Sequence, residues 1–243
     1  MLALGFFVTA LLYASVGFGG GSTYSALLAL AGFDYRLLPI VALCCNIVVV
    51  SGSTIRFARA GLVPWRGALV LSLIAAPLAF LGGLTPIRET TFLILLGLSL
   101  ILAGIALLLP RAPESEGRPA PAARWMGFAV APLGYLAGLV GIGGGIFLAP
   151  LLHLTRWNRA RQIAATASLF ILVNSIAGMV GQLTKNGPAR FAEALSGALP
   201  LLLAVIVGGQ LGNLLAQRLL PERIIRWLTA ALTIWAGSQL LLR

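Results

Sequence analysis

The chain has 243 residues, of which 59% are hydrophobic and only 9% charged, and its mean hydropathy is +1.00. A soluble domain usually carries about a quarter charged residues, so this composition excludes an ordinary soluble enzyme or binding module. The formal net charge is +11, but the 17 basic residues are dispersed in small groups between apolar segments, without a basic run interleaved with aromatic residues. We therefore expect a protein whose partner is the lipid bilayer, and no nucleic-acid partner.

Apolar segments follow one another along the whole chain, and most are near the length of about 20 residues that crosses a bilayer as a helix. They lie near residues 2–32, 38–57, 66–84, 91–109, 125–154, 162–183, 194–219 and 223–242. This succession predicts an all-α polytopic membrane protein. The N-terminal run lacks a positively charged region and a small-residue cleavage site, so we interpret it as mature protein and not as a signal peptide.

A glycine cluster interrupts the first apolar segment at Gly17, Gly19, Gly20 and Gly21. The pieces on either side, 2–16 and 22–32, would form helices of about 22 Å and 16 Å at 1.5 Å per residue, together long for one crossing. One arrangement is a single crossing. The other is a re-entrant hairpin that turns at the glycines and leaves on the same side, surrounded by protein. Glycines that only allow close helix packing are a further alternative.

A polar stretch at residues 111–124 divides the chain almost in half. Its Pro, Glu, Ser and Arg content is typical of an exposed linker. We therefore predict a first membrane repeat at 1–110, a linker at 111–124 and a second membrane repeat at 125–243.

The second half opens with the same glycine pattern as the first. VGFGGGSTYSALLAL at 16–30 aligns with VGIGGGIFLAPLLHL at 140–154, which places the first glycine cluster opposite Gly141, Gly143, Gly144 and Gly145. Asn46 falls opposite Asn174 after a shift of four residues. The pattern indicates an internal duplication into two four-segment repeats.

The distribution of basic residues favours the hairpin arrangement. If each glycine segment crosses once, the basic residues divide 8 to 9 between the two sides, whereas two hairpins place 12 of 17 on the side of the linker. A bias of 12 to 5 agrees with the positive-inside rule and makes the linker cytoplasmic. We therefore expect two inverted repeats, each opening with a glycine-broken re-entrant helical hairpin. Such repeats are a recurrent architecture of transporters.

The glycine breaks and the nearby polar residues form the candidate substrate-binding site. A helix that begins at a break presents free N–H groups, which can bind an anion without a charged side chain. An asparagine amide can donate to an oxyanion or satisfy the broken helix, although it can also simply link two helices. The candidate substrate-binding residues are Gly19, Gly20, Gly21, Ser22, Asn46, Gly143, Gly144, Gly145 and Asn174. No catalytic residue, metal ligand or cofactor is predicted.

The positions of the ionisable residues restrict the charge that we expect of the substrate. All six acidic residues fall at segment ends or in loops, which disfavours a cationic substrate and an obvious proton relay. Arg36 would either attract anions toward a vestibule or orient the protein in anionic lipid. We interpret His153 as a polar boundary residue, with a titrating gate as the alternative. The adjacent Cys44 and Cys45 are interpreted as small apolar helix residues.

Three stretches of the sequence resemble the sulfite exporter TauE/SafE family: GFGGGS, GIGGGIFLAPLL and ATASLFILVNSIAGMVGQL at 165–183. The resemblance covers essentially the whole chain. It implies export, or in some members uptake, of small sulfur-containing anions such as sulfite, sulfoacetate or other organosulfonates. Cys44 and Cys45 depart from the family, in which small or hydroxylated residues are common just before the asparagine.

We expect a multi-pass inner-membrane transporter of a small anion, such as sulfite, a sulfonate or another sulfur-containing oxyanion. Export is favoured, because moving one negative charge outward across an inside-negative potential gains about 2.3 kcal/mol per 100 mV. One alternative is a passive anion channel. The other is an integral-membrane sulfur-relay enzyme that uses Cys44 or Cys45 as nucleophile together with His153.

Overall fold

A computed structural model describes residues 1–108, 124–215 and 222–242. In these ranges the chain forms the helices α1 Leu2–Val16, α2 Gly21–Leu30, α3 Leu38–Arg59, α4 Trp65–Leu84, α5 Glu89–Leu108, α6 Arg124–Val140, α7 Gly145–Leu154, α8 Ala160–Leu215 and α9 Glu222–Leu241. The all-α prediction is confirmed. The predicted linker, apart from Arg124, lies outside the described residues.

Several of these helices are long and apolar enough to cross a membrane. Within the described ranges they are Leu38–Arg59, Trp65–Leu84, Glu89–Leu108 and Ala160–Leu214, whereas the helices beside the glycine clusters have only 10 to 17 residues. The last of the long helices is interrupted at Gly187, which has φ 78° and ψ 165°, a conformation that glycine adopts readily. We name the part before this glycine α8a and the part after it α8b. Apart from Gly187, the residues between the predicted segments 162–183 and 194–219 are helical.

The helix breaks predicted at the two glycine clusters are present. α1 ends at Val16 and α2 begins at Gly21, while α6 ends at Val140 and α7 begins at Gly145. The breaks need glycine because several of their residues have φ between 76° and 85°, a region that other residues rarely adopt: Gly17, Gly20, Gly141, Gly143 and Gly144.

Two glycines bring α8b against α1. A side chain at Gly208 would collide with the carbonyl oxygen of Phe7, and one at Gly212 with that of Leu11. Both contacts advance by four residues, so the two helices run in the same direction and their backbones touch, as small residues spaced four apart allow.

The other half repeats this arrangement with exchanged roles. Gly134 and Gly138 of α6 lie against the carbonyl oxygens of Ala75 and Ala79 of α4, so these helices also run in the same direction. The first helix of each half therefore packs against a late helix of the other half, and the two halves share one core.

Candidate functional site

The two glycine clusters meet in the core, and Asn46 joins them. The N–H of Gly21 donates to Oδ1 of Asn46 at 2.8 Å, and Nδ2 of Asn46 donates to the carbonyl oxygen of Gly141 at 3.3 Å. Asn46 is completely buried on α3. A single amide therefore caps the N-terminus of α2 and accommodates the broken end of α6.

A serine of the second half supports the first turn in return. Oγ of Ser168 on α8a donates to the carbonyl oxygen of Gly17 at 2.5 Å, and Ser168 is fully buried. Oγ of Ser25 on α2 reaches the carbonyl oxygen of Val140 at 3.5 Å. Each glycine turn is thus held by side chains of the opposite half.

The start of α7 differs from the start of α2. Gly145 is the alignment partner of Gly21, yet its N–H has no hydrogen-bond partner among the described residues. Asn174 does not cap it, since Nδ2 of Asn174 donates to the carbonyl oxygen of Phe170 in its own helix at 2.8 Å. The matched asparagines predicted from the sequence therefore have different partners.

Two buried side-chain oxygens on α8a also lack a partner in the described part of the chain. They are Oδ1 of Asn174 and Oγ of Ser175, and both residues are fully buried. A Cβ placed on Gly143 would lie 3.2 Å from Oγ of Ser175 and 2.9 Å from Nδ2 of Asn46. Because a buried polar group without a partner costs free energy, this cluster is suited to a polar ligand.

The predicted site residues fall into two groups. The first group lies around the Asn46 amide. A side chain on Gly19, Gly21 or Gly143 would meet this amide. Asn174 belongs to the neighbouring cluster of unpartnered oxygens described above.

A Cβ on the remaining predicted glycines would meet residues other than Asn46. Gly20 faces Thr9, Tyr13 and Tyr24, and Ser22 lies beside the Tyr13 hydroxyl. Gly144 and Gly145 face α8a, where Phe170 and Ile171 pack against them. Although the backbone of these residues shapes the breaks, their Cα positions do not face Asn46.

Sequence reasoning missed several polar residues of the core. The hydroxyl of Tyr13 pairs with Oγ1 of Thr23 at 2.8 Å and with Oγ1 of Thr233 at 2.6 Å, which ties α1, α2 and α9 together. Ser175 was also missed as a site residue. Isolated hydroxyls in apolar helices have no spacing motif, so only their partners, or the lack of them, identify them.

The sulfur and metal chemistry of the described residues is limited. Cys44 and Cys45 are free thiols on α3, the first half-buried and the second buried. Within the described ranges, no group of three or more His, Cys, Asp and Glu residues is placed to hold a metal ion.

Comparison of the sequence with known proteins identifies its family. The sequence matches the family described as "Sulfite exporter TauE/SafE" over residues 1–240. It is 34% identical to a Sinorhizobium fredii protein called "Probable membrane transporter protein y4hK", with 99% of this chain and 97% of that protein covered. A Methanocaldococcus jannaschii protein of the same description is 24% identical, with coverage of 97% and 92%.

No solved protein structure matches the chain at a significant level. The family match and the relatives agree with the apolar helices, and they exclude the sulfur-relay enzyme considered from the sequence. The chain therefore belongs to the sulfite exporter TauE/SafE family and is a multi-pass membrane transporter, not an enzyme.

Proposed function

We propose that the protein carries a small anion across the inner membrane, and that the anion binds where the two glycine turns meet, at the N-terminus of α7. The observations that carry this proposal are the uncapped N–H of Gly145 and the unpartnered hydroxyl of Ser175, which lies 3.2 Å from the position of a Cβ on Gly143. The site combines a backbone donor with a hydroxyl donor. An anion accepts hydrogen bonds from such donors, and the positive end of the α7 dipole favours negative charge.

Sulfite or another sulfur-containing oxyanion is the proposed substrate class. Support comes from the family description, which names sulfite. Oδ1 of Asn174 needs a donor, which a protonated oxygen of a hydrogen oxyanion or a bound water supplies. Export is the proposed direction, because an outward-moving anion gains energy from the membrane potential without a coupling residue.

We also propose that each half, 1–110 and 125–243, opens with a re-entrant hairpin. In the first half, α3 runs with α8b, since Val49 packs against Gly209 and Ser53 bonds to Asn213. Because α1 also runs with α8b, α1 and α3 share one direction. Only α2 and short turns connect them, which supports a return of the chain along α2.

The second half supports the same inference. α8a runs with α4, since Trp157 lies at the level of Gly67 and Gln182 at that of Gly83. α6 also runs with α4, so α6 and α8a share one direction and α7 returns between them. α4 reverses α3 after a short turn, which supports an inverted relation between the halves and alternating access by rocking of one half against the other.

Labelling of introduced cysteines tests this topology. Asp34 and Arg156 lie in the turns that follow α2 and α7. Two hairpins place these positions on opposite faces, so Asp34→Cys and Arg156→Cys would react with an impermeant thiol reagent from opposite sides of oriented vesicles. Reaction of both from one side would mean that each glycine segment crosses once.

Transport into proteoliposomes tests the substrate and the site. Labelled sulfite, sulfate, thiosulfate and sulfoacetate are offered separately, and we expect saturable uptake and counterflow for at least one of them. Linear uptake without counterflow would indicate a passive channel.

Variants then test where the anion binds. Gly143→Ala should abolish uptake, because a Cβ there has an unfavourable φ of +78° and points at Ser175 and Asn46. Gly197→Ala is the matched control, since its Cβ meets nothing within 4 Å. Ser175→Ala, which keeps the packing, should raise KM about tenfold, as expected for a lost hydrogen bond to a charged group. Wild-type KM in Ser175→Ala together with wild-type uptake in Gly143→Ala would contradict the proposed site.

A further inference from the structure

A cavity of about 250 Å³ opens at the ends of α3, α4 and α8a. It is lined by Tyr35, Arg36, Pro39, Pro86, Ile87, Phe92, Leu139, Lys185, Asn186 and Arg190. Three of these residues are basic, and the lining contains no Asp or Glu from the part of the chain that the structure describes. This concentration of positive charge stands out in a protein with 17 basic residues in total. Asp34 and Glu89 lie outside the lining but near enough to Arg36 to act on its charge.

Two of these basic residues, Lys185 and Arg36, keep donors available for a ligand. Nζ of Lys185 donates one hydrogen bond to the carbonyl oxygen of Thr85 at 3.4 Å, and Nε of Arg36 donates to the Tyr35 hydroxyl at 3.3 Å. An ammonium has three N–H donors and a guanidinium has five. The hydrogen bond to Tyr35 raises the pKa of Arg36, so this residue stays charged at every physiological pH.

Apolar walls strengthen the field of these cations. Pro39, Phe92 and Leu139 form part of the lining, and Phe92 is almost completely buried. A cleft lined by one sign of charge with low-dielectric walls concentrates counter-ions.

The floor of the cavity adjoins the second glycine turn. A Cβ on Gly141 would lie 2.8 Å from Cα of Pro39, and Leu139 precedes Gly141 by two residues. Pro39 and Leu139 thus separate the cavity from the turn by a single layer. Only this layer would separate an anion held in the cavity from the Gly141–Gly145 backbone.

We propose that this cavity is a second anion-binding site, a vestibule in which Arg36, Lys185 and Arg190 hold a small oxyanion in exchange with bulk water. Its role as the mouth of a transport path rests on the proposed function. The binding of anions in it does not, and it can be measured without transport.

Thiol modification measures the field in the vestibule. The probe position is Ile87→Cys, in a background in which Cys44 and Cys45 are replaced by alanine. Purified protein is treated with a methanethiosulfonate that carries either a sulfonate or a trimethylammonium group. The ratio of the anionic to the cationic rate is compared with that at the exposed position Thr90→Cys on the same side.

We expect the ratio to be higher at position 87, and to fall about threefold when one nearby charge is removed by Lys185→Gln or Arg190→Gln. Arg159→Gln is the control, because Arg159 is exposed and does not line the cavity. Equal ratios at positions 87 and 90, or an equal fall in Arg159→Gln, would overturn the proposal.

Protection separates a binding site from a general field. Sulfate should slow modification of Ile87→Cys saturably, and chloride at equal ionic strength should not. Equal slowing by both salts would mean screening only and would contradict a site.

Transport kinetics provide the link to function. In proteoliposomes at low ionic strength, Lys185→Gln and Arg190→Gln should raise KM about threefold each with unchanged Vmax. If the wild type does not transport at all, the proposed function fails, whereas the labelling result still decides whether the vestibule binds anions.

Discussion

The two glycine turns have nearly the same sequence, but the first helical N–H group of each is bonded differently. At the first turn Asn46 accepts from Gly21, and at the second the N–H of Gly145 has no partner among the described residues. The sequence repeat preserves the backbone break, because the glycines are required for it. The side chain that packs beside a break determines whether its first N–H has a partner within the protein.

Removal of each asparagine is the most severe test of this difference. Asn46→Ala would leave the N–H of Gly21 and the carbonyl oxygen of Gly141 buried without their partner, at a cost of about 1–3 kcal/mol for each group. Asn174→Ala removes an amide whose Oδ1 already lacks a partner, so the folded state should lose much less stability.

Thermal unfolding in one detergent, followed by circular dichroism, compares the two variants. The expected order is wild type, then Asn174→Ala slightly lower, then Asn46→Ala far lower. Equal midpoints for the two variants would mean that the amides have equivalent structural roles, and the contrast between the turns would then be wrong.

The second test places alanine at the first residue of α2 and at the first residue of α7. At Gly21 the added Cβ would lie 2.5 Å from the carbonyl oxygen of Gly141, a backbone atom that cannot move away alone. At Gly145 it would meet Cγ1 and Cδ1 of Ile171, which are side-chain atoms, and would lie 3.1 Å from the carbonyl oxygen of Ala167, which is farther than the 2.5 Å at Gly21. Overpacking of this kind costs about 1–3 kcal/mol, and we expect Gly21→Ala at the upper end and Gly145→Ala at the lower.

Yield of folded protein and the thermal midpoint both report this effect. Gly197→Ala controls for alanine itself, because its Cβ enters open space and alanine favours a helix. A larger loss in Gly145→Ala than in Gly21→Ala would contradict the contrast between the first turn, which Asn46 caps, and the second turn, whose first N–H has no partner among the described residues.

The sequence was sufficient to predict the helix breaks and to single out Asn46 beside them. Four glycines within five residues, between apolar pieces too short to cross, can be recognised without coordinates, and Asn46 was found because it recurs as Asn174. The unlike roles of the two asparagines were not predictable. They depend on how α3 and α8a are rotated against the turns, which tertiary packing decides.

Ser175 illustrates the same limit. It follows Asn174 directly, yet a serine within an apolar helix commonly bonds to the carbonyl four residues earlier, as Ser51 and Ser72 do here. Only the structure reveals that Oγ of Ser175 makes no such bond and lies near Gly143. Its position, not its residue type, makes it a candidate for ligand binding.

The smallest expected effect compares two serines on α8a. Ser168→Ala removes the hydrogen bond to the carbonyl oxygen of Gly17, so unfolding should become easier by about 1 kcal/mol. Ser175→Ala removes a buried hydroxyl without a partner, and the empty protein should be as stable as the wild type or slightly more stable. Each variant loses one hydroxyl oxygen, and the two positions lie about two turns apart on one helix, so each is the control of the other.

A ligand should reverse this order. If Ser175 donates to a bound oxyanion, saturating substrate stabilises the wild type and Ser168→Ala by mass action more than it stabilises Ser175→Ala. The measurement is the shift of the thermal midpoint with increasing sulfite for the three proteins. Identical shifts for Ser175→Ala and Ser168→Ala would mean that the second turn does not use this hydroxyl, because a side chain that only packs would not change the response to the ligand.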